Sequence, residues 1–429
     1  MTTVDHHATT APIAGTAEDP VRLPDGSAPD PYALYDRMRQ GAEVHVVEEP
    51  TGLRRFTFVR YDEARRWLAD PRLTKDPRAA WDELLRFGYA TGDPDTDRYL
   101  FHLLNTDPPE HTRLRAMVQR AFTTGRVAAL RPRVEQVVAG LLDGLDEDRQ
   151  VDLIADYALP IAVRVIGELI GVPTDDFDEY HVWASAGLIM PGATGAPMSR
   201  AEAYGHMHAF FRNLVAVKQA ALRAAGPDAP VPDLLSGLIA AREAGDPLTE
   251  QELVALVIFL LNTGQEPTVG MIANGVLALL RHPDQLALLR GDPDLLPGAV
   301  EEFLRFDGPV ALSTLRIARE DIEIDGTVIP RGGIVSIIMS SADRDPRRFV
   351  DADRLDITRA DNPHLAFGHG MHRCVGVPLA RVIGHTAIGA LLARYPDLGL
   401  AVRPDELRWR PTRVMRGLVA LPVRLGRSA

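Results

Sequence analysis

The chain has 429 residues, 46% of them hydrophobic, and a formal net charge of -12. That allows a large core and argues against a nucleic-acid partner, which calls for a basic excess. Its one cysteine excludes an intrachain disulfide and suits a reducing compartment. The opening stretch, MTTVDHHATTAPIAGTAEDP, lacks the basic start and apolar core of a signal peptide. The longest wholly apolar run, Leu253 to Leu261, is far short of the ~20 residues of a membrane span. A cytoplasmic protein without a membrane partner is expected.

Residues up to about Asp30 are rich in Pro, Thr, Ala and Asp and have no periodicity. They predict a flexible N-terminal arm over 1–30, followed by a single domain over 31–429. A short helix over 33–39 leads into strands over 44–48 and 55–59, joined by the turn at Thr51-Gly52. Helical spacing of apolar residues then predicts helices near 61–69, 109–121, 126–145, 151–171, 175–186, 200–224 and 232–243. Between them, Lys75 to Leu104 reads as a long loop with Trp81, Phe87, Tyr89, Tyr99 and Phe101, and Leu188 to Ser199 as another with Met190 and Met198. Such loops are often lids or binding segments, and ordinary surface packing is the competing explanation. Thr249 and Glu252 form a capping box before a long helix over 250–280, with further helices at 284–290 and 296–306. A strand pair over 321–330 turns at Asp325-Gly326, a buried strand covers 334–339, and a helix runs from after Cys374 to about Arg394. No repeat or Gly/Ser-rich linker divides the chain, so the fold reads as mainly α with a minor β part.

The decisive stretch is HLAFGHGMHRCVGVPLAR, residues 364–381, with Phe367, Gly368, Gly370, His372, Cys374 and Gly376 ahead of a helix. Glycines let a backbone approach a flat ligand closely. A cysteine just before a helix has its thiolate favoured by the helix N-terminus, and an anionic sulfur suits an iron axial site. Alone, such a cysteine is more often a small buried hydrophobe. Zinc is a further option, with His369 and His372 nearby, but structural zinc wants four ligands at wider spacing. Taken together, F-G-H-G-M-H-R-C-V-G resembles the haem-binding signature of the cytochrome P-450 superfamily, F-x-x-G-x-[HR]-x-C-x-G, with every specified position filled. The resemblance extends from about Pro31 to the C-terminus and is greatest to soluble actinomycete enzymes of secondary metabolism. It implies a triangular helical domain enclosing haem b, a small β-sheet region and Cys374 as iron ligand.

Other motifs fall where the family has them. Glu302 and Arg305 match its E-x-x-R pair, a spacing also met by Glu63/Arg66, Glu83/Arg86 and Glu110/Arg113; the resemblance gives the first pair a structural role. Haem carries two propionates, which need donors if buried. By resemblance these are His111 and Arg115, one turn apart in H-x-x-x-R, with Arg316 and His372. Substrate contacts are expected from Trp81, Phe87, Tyr89, Phe259, Asn262, Leu312 and Met415, and from the 188–199 loop.

In the central helix the family usually reads A-G-x-[DE]-T-T, whose acid and first threonine deliver protons to bound O2. Here Thr263-Gly264-Gln265-Glu266-Pro267-Thr268 keeps the acid, Glu266, and replaces the alcohol by Pro267. Proline deprives the Thr263 carbonyl of its helical N–H and predicts a kink. Thr268 is turned ~100° away, which leaves Thr263 or a substrate hydroxyl to hold the water. Glu266, Thr263 and Thr268 are the candidate catalytic residues. The expected reaction is hydroxylation or epoxidation of a secondary metabolite with O2; the alternative is oxidative coupling or cyclisation without oxygen insertion. No flavin or iron–sulfur motif is present, so electrons are expected from a ferredoxin and its reductase, with Arg113, Arg120, Arg126, Arg373 and Arg381 as a docking patch or as scattered solvated charges. A monomer is expected. A haem sensor without turnover is the rival class, which the retained Glu266 argues against.

Overall fold

A 32-residue helix, Glu250–Arg281, is the spine of the molecule. The computed structural model describes residues 11–24, 27–173, 177–188, 198–226, 231–245, 247–412 and 414–426. The spine starts at a true capping box, in which Thr249 Oγ1 accepts from Glu252 N at 3.1 Å while Glu252 Oε2 accepts from Thr249 N at 2.8 Å. It continues through Pro267 without interruption. By length and composition it is apolar enough to cross a membrane, yet 72% of that window is buried inside the protein. Helices Leu159–Ile170, Arg200–Ala225, Leu296–Asp307 and Val377–Arg394 pack around it. One stripe escapes burial: Phe259, Thr263 and Pro267, four residues apart and therefore on one face, keep accessible surface.

The minor sheet has six strands in the spatial order Val21–Arg22, His45–Glu48, Arg54–Phe58, Ile334–Ile337, Arg316–Ala318 and Leu73–Thr74. The hairpin His45–Glu48/Arg54–Phe58 is antiparallel, and its second strand runs parallel to Ile334–Ile337 with Phe56 opposite Val335. Pairing of Leu73 with Ala318 and Thr74 with Ile317 sets Lys75 beside the Thr314–Arg316 segment, some 240 positions away in sequence.

The structure departs from the sequence reading in three places. Part of the N-terminal arm is fixed: Val21–Arg22 pairs parallel with Val47–Glu48, and Gly15 O accepts from Val46 N at 2.9 Å. An edge strand with free N–H groups captures the arm. The helix expected over 151–171 begins only after a strand, Val151–Asp152, and a π-turn, Ile154–Ala158. The C-terminal strand Pro422–Arg424 pairs with Val151–Asp152, a long-range demand that overrides local spacing. The 75–104 loop holds short helices at Pro77–Ala80, Trp81–Arg86 and Pro94–Asp97 and further single turns. Its ends are tied together, because Thr74 Oγ1 and Lys75 N both donate to the Asp107 carboxylate. Most of the second expected loop, 189–197 with Met190, lies outside the described residues.

Candidate active site

Cys374 sits one turn before the helix Val377–Arg394, and its amide donates to Phe367 O at 2.9 Å, closing the loop on itself. Gly368 and Gly370 hold positive φ, +70° and +75°. At Gly370 a Cβ would lie 3.0 Å from Ala69 Cβ and 3.3 Å from Leu68 O, so the loop packs against the helix Tyr61–Ala69 only as glycine. A Cβ on Gly376 would be 3.8 Å from Cys374 Sγ. The thiol is pushed up by burial and pulled down by the Gly376 and Val377 amides and by Arg115 and Arg373. Cys374 keeps accessible surface.

The loop is held in place by a buried ion pair. Glu302 and Arg305 are both fully buried and meet through two bonds of 2.8 Å. Arg305 also donates to the carbonyls of Asp343, Ala352 and Arg354, at 2.9, 2.7 and 3.0 Å. Glu302 accepts from Asp356 N, Arg359 Nε and Asn362 Nδ2. The chain from 343 to 362 is thereby wrapped around one charge pair. Asp343 then accepts from Leu365 N at 2.6 Å, at the entrance to the cysteine loop.

Beside the loop, buried donors gather, two of them with no acceptor among the described residues. The His111 and His372 rings lie 4.3 Å apart, and the Nε2 atom of each is buried with no hydrogen-bond partner. Arg316 is 6% exposed; among the described residues its guanidinium makes only 3.4 Å contacts to the carbonyls of Thr314 and Leu68, and burial pushes it down to about 10. Burial pushes His372 to about 2, reinforced by Lys75, His111, Arg316 and Arg115. Arg115 reaches the same loop, donating to Arg373 O at 2.7 Å. Lys75, which sequence reasoning missed, is a buried amine donating to Thr314 Oγ1 and Leu315 O, each at 2.6 Å. Orphaned buried donors cost folding energy unless a ligand answers them. A dianionic, flat group that also offers a metal to the sulfur fits this set.

The comparisons decide the family. The family model described as cytochrome P450 matches residues 188–398. Cytochrome P450 107B1 of Saccharopolyspora erythraea is 43% identical over 96% of this chain and 99% of its own length.

The chain belongs to the cytochrome P450 family.

The 6-deoxyerythronolide B hydroxylase of the same organism is 39% identical over 92% of this chain and 96% of its own. Among solved structures, the cytochrome P450 enzyme CxnD for C–S bond formation in chuangxinmycin biosynthesis superimposes with a TM-score of 0.87, at 35% identity, over 96% of this chain and 99% of that one. This P450 is therefore an oxidoreductase of the monooxygenase type whose cofactor is haem b. Bound haem b supplies the oxygen chemistry, and the donors just described fit its iron and two carboxylates.

On the central helix of this P450, Thr263 keeps accessible surface, and its hydroxyl donates to Phe259 O at 2.7 Å. Glu266, one turn on, is buried and accepts from Arg410 Nη1 at 2.7 Å. Nothing local in the sequence marks Arg410 as its partner, 144 residues away. Thr268 is buried and donates to Gly264 O at 2.6 Å, which spends its hydroxyl on its own helix, as its turned position implies.

The expected substrate contacts divide. Phe259 lies on the open stripe. Asn262 does not offer its carbonyl, because Tyr180 OH donates to Asn262 Oδ1 at 2.5 Å and locks the helix Phe177–Leu188 to the spine. Tyr89 is turned to the sheet, where its hydroxyl meets Glu49 and Arg55 Nη2 donates to it at 3.2 Å. Phe87 packs over Gly52, and Trp81 stacks on Phe101 with centroids 6.0 Å apart. These rings build the loop's own small core with Leu53, Leu84 and Ile334. Leu312 is buried among Tyr32, Tyr35 and Ile338. Met415 is half-buried and bridges Val310. An aromatic residue of the loop that reaches the spine is His102, which the sequence reading passed over.

The five arginines also divide. Arg113 pairs with Glu252 at the start of the spine, and Arg381 pairs with Glu301. Arg120, Arg126 and Arg373 are exposed, and among the described residues no carboxylate pairs with them.

Proposed function

We propose that this P450 hydroxylates or epoxidises a polyketide-type secondary metabolite, as a cytoplasmic monomer receiving electrons from a ferredoxin and its reductase. The observation that carries the reading is Glu266, retained on the spine one helical turn from the open Thr263 and held by Arg410. A carboxylate so placed moves protons between the protein and the reacting centre, which oxygen insertion requires. The 39% identity to a hydroxylase of 6-deoxyerythronolide B supports the polyketide class.

In this reading Cys374 Sγ would ligate the iron, and an anionic thiolate there would supply the electron density that suits oxygen activation. His111, Arg115, Arg316 and His372 hold the two carboxylates. Phe259 and Thr263 form one wall of the substrate space; Thr263 Oγ1 keeps a lone pair for a water or substrate hydroxyl, and its carbonyl, freed by Pro267, is a second acceptor. Arg410 fixes the Glu266 carboxylate, which would accept a proton from the solvent side and pass it on toward that turn. Arg120, Arg126 and Arg373 present a cationic face beside the cysteine loop to an acidic electron donor.

Pro267 and the fold likeness to a C–S bond-forming enzyme favour a second reading, oxidative coupling without oxygen insertion. Turnover of a macrolactone with isotopically labelled O2, ferredoxin and reductase separates the two. Label in the product is expected; a dehydrogenated or ring-closed product free of label would establish the second reading.

A further inference from the structure

His102 belongs to the 75–104 segment and stacks on Phe259, with ring centroids 4.6 Å apart and planes 17° from parallel. Its Nδ1 accepts from Leu104 N at 3.2 Å. That bond fixes the tautomer, since a nitrogen that accepts carries no proton, so the proton resides on Nε2. The ring stays neutral, because burial, with Lys75 nearby, pushes it down to about 3. No side chain or backbone group of the described residues accepts from Nε2, yet this atom is not among the buried atoms left without a partner, as those of His111 and His372 are. It therefore keeps accessible surface on a half-buried ring that stacks against the open stripe of the spine.

We propose that His102 is the polar anchor of the substrate site, donating Nε2–H to an acceptor oxygen of the bound molecule, a ketone, lactone or ether, while Phe259 holds the imidazole ring flat. The proposal rests on the reading of the Phe259–Thr263 face as the substrate space. It narrows the substrate class to compounds that carry an acceptor oxygen at the end facing His102, and it makes His102 specificity-determining. A neutral donor of this kind rejects an analogue lacking the oxygen, because the donor is then desolvated without a partner.

The test uses the haem-loaded enzyme and three ring compounds of one size, cyclopentadecanone, pentadecanolide and cyclopentadecane, titrated by the shift of the haem absorption band. The parent is expected to bind the ketone and the lactone about tenfold more tightly than the hydrocarbon. His102→Phe, which keeps the stack, should erase that preference and leave hydrocarbon affinity unchanged. His102→Gln, which keeps a donor, should restore part of it. A parent without the preference overturns the proposal, as does a His102→Phe variant that retains it or weakens all three compounds alike. A variant that loses haem faster while keeping the preference shows that the acceptor is a haem carboxylate and also overturns it. Thr263→Trp separates failure of the underlying site: if all three compounds still bind normally with the open face filled, the substrate space lies elsewhere and both readings fall.

Discussion

Arg316→Met should have opposite effects on the protein with and without haem. Arg316 is 6% exposed, and its contacts are two 3.4 Å approaches to carbonyls, with Lys75 nearby. A buried charge without a counter-ion opposes folding, and replacing buried ionic groups with apolar side chains of similar volume is often neutral or stabilises by about 1–4 kcal/mol. The apoprotein should therefore unfold at equal or higher urea concentration. In the holoprotein the same guanidinium would meet a carboxylate under the proposed assignment, and truncating one partner of a buried charge pair costs about 2–5 kcal/mol. At ~1.4 kcal/mol per factor of ten, haem loss should accelerate roughly thirty- to four-thousand-fold. Transfer of haem to excess apomyoglobin measures the rate, and urea unfolding of the apo form measures the other sign. An unchanged haem-loss rate, or a less stable apoprotein, would refute the assignment of Arg316 to the cofactor.

Arg305→Met should destabilise the protein by about 3–5 kcal/mol in denaturant unfolding, because it leaves a fully buried Glu302 and three carbonyls without their partner. Burial pushes the Asp343 carboxyl up to about 7. Its folded value exceeds its unfolded one, so its contribution to stability is complete below the ordinary carboxylate range and is lost as pH rises through about 7; thermal melts of Asp343→Asn should show a flatter pH dependence there, and a parallel curve would disprove it. Arg410→Gln should keep the haem spectrum but lower product formed per electron pair severalfold, with peroxide as the other product; unchanged coupling would remove Arg410 from proton delivery. Pro267→Thr should alter coupling and peroxide leakage if position 267 governs the water, and equal values for both would show that it does not.

The cysteine loop was legible because its signal is local: five specified positions within ten residues, ahead of a helix with Pro378 near its start. The spine was legible through its capping box and its long apolar pattern. Contacts made by distant chain segments were not. Lys75 reaches Thr314 only because Leu73–Thr74 finds an edge of the sheet, and Glu266 meets Arg410 across 144 residues. The aromatic residues of the 75–104 segment were read as pocket walls because large rings suit ligands. A segment of that length also needs an apolar core of its own, and Trp81, Phe87 and Tyr89 serve that need. Asn262 was misplaced for a similar reason: its spacing puts it near the open face, but Tyr180 OH claims its carbonyl.

The tie between Thr74, Lys75 and Asp107 closes the 75–104 segment at its neck, while Tyr89 fastens its middle to Glu49 and Arg55. Everything between those fixed points is carried as a cassette. Its sequence can be exchanged between relatives without re-laying the bed on which the cofactor rests, provided that the neck residues travel with it. If the segment borders the substrate space as proposed, drift within such an insert would change which molecules are accepted and leave the cysteine loop as it is.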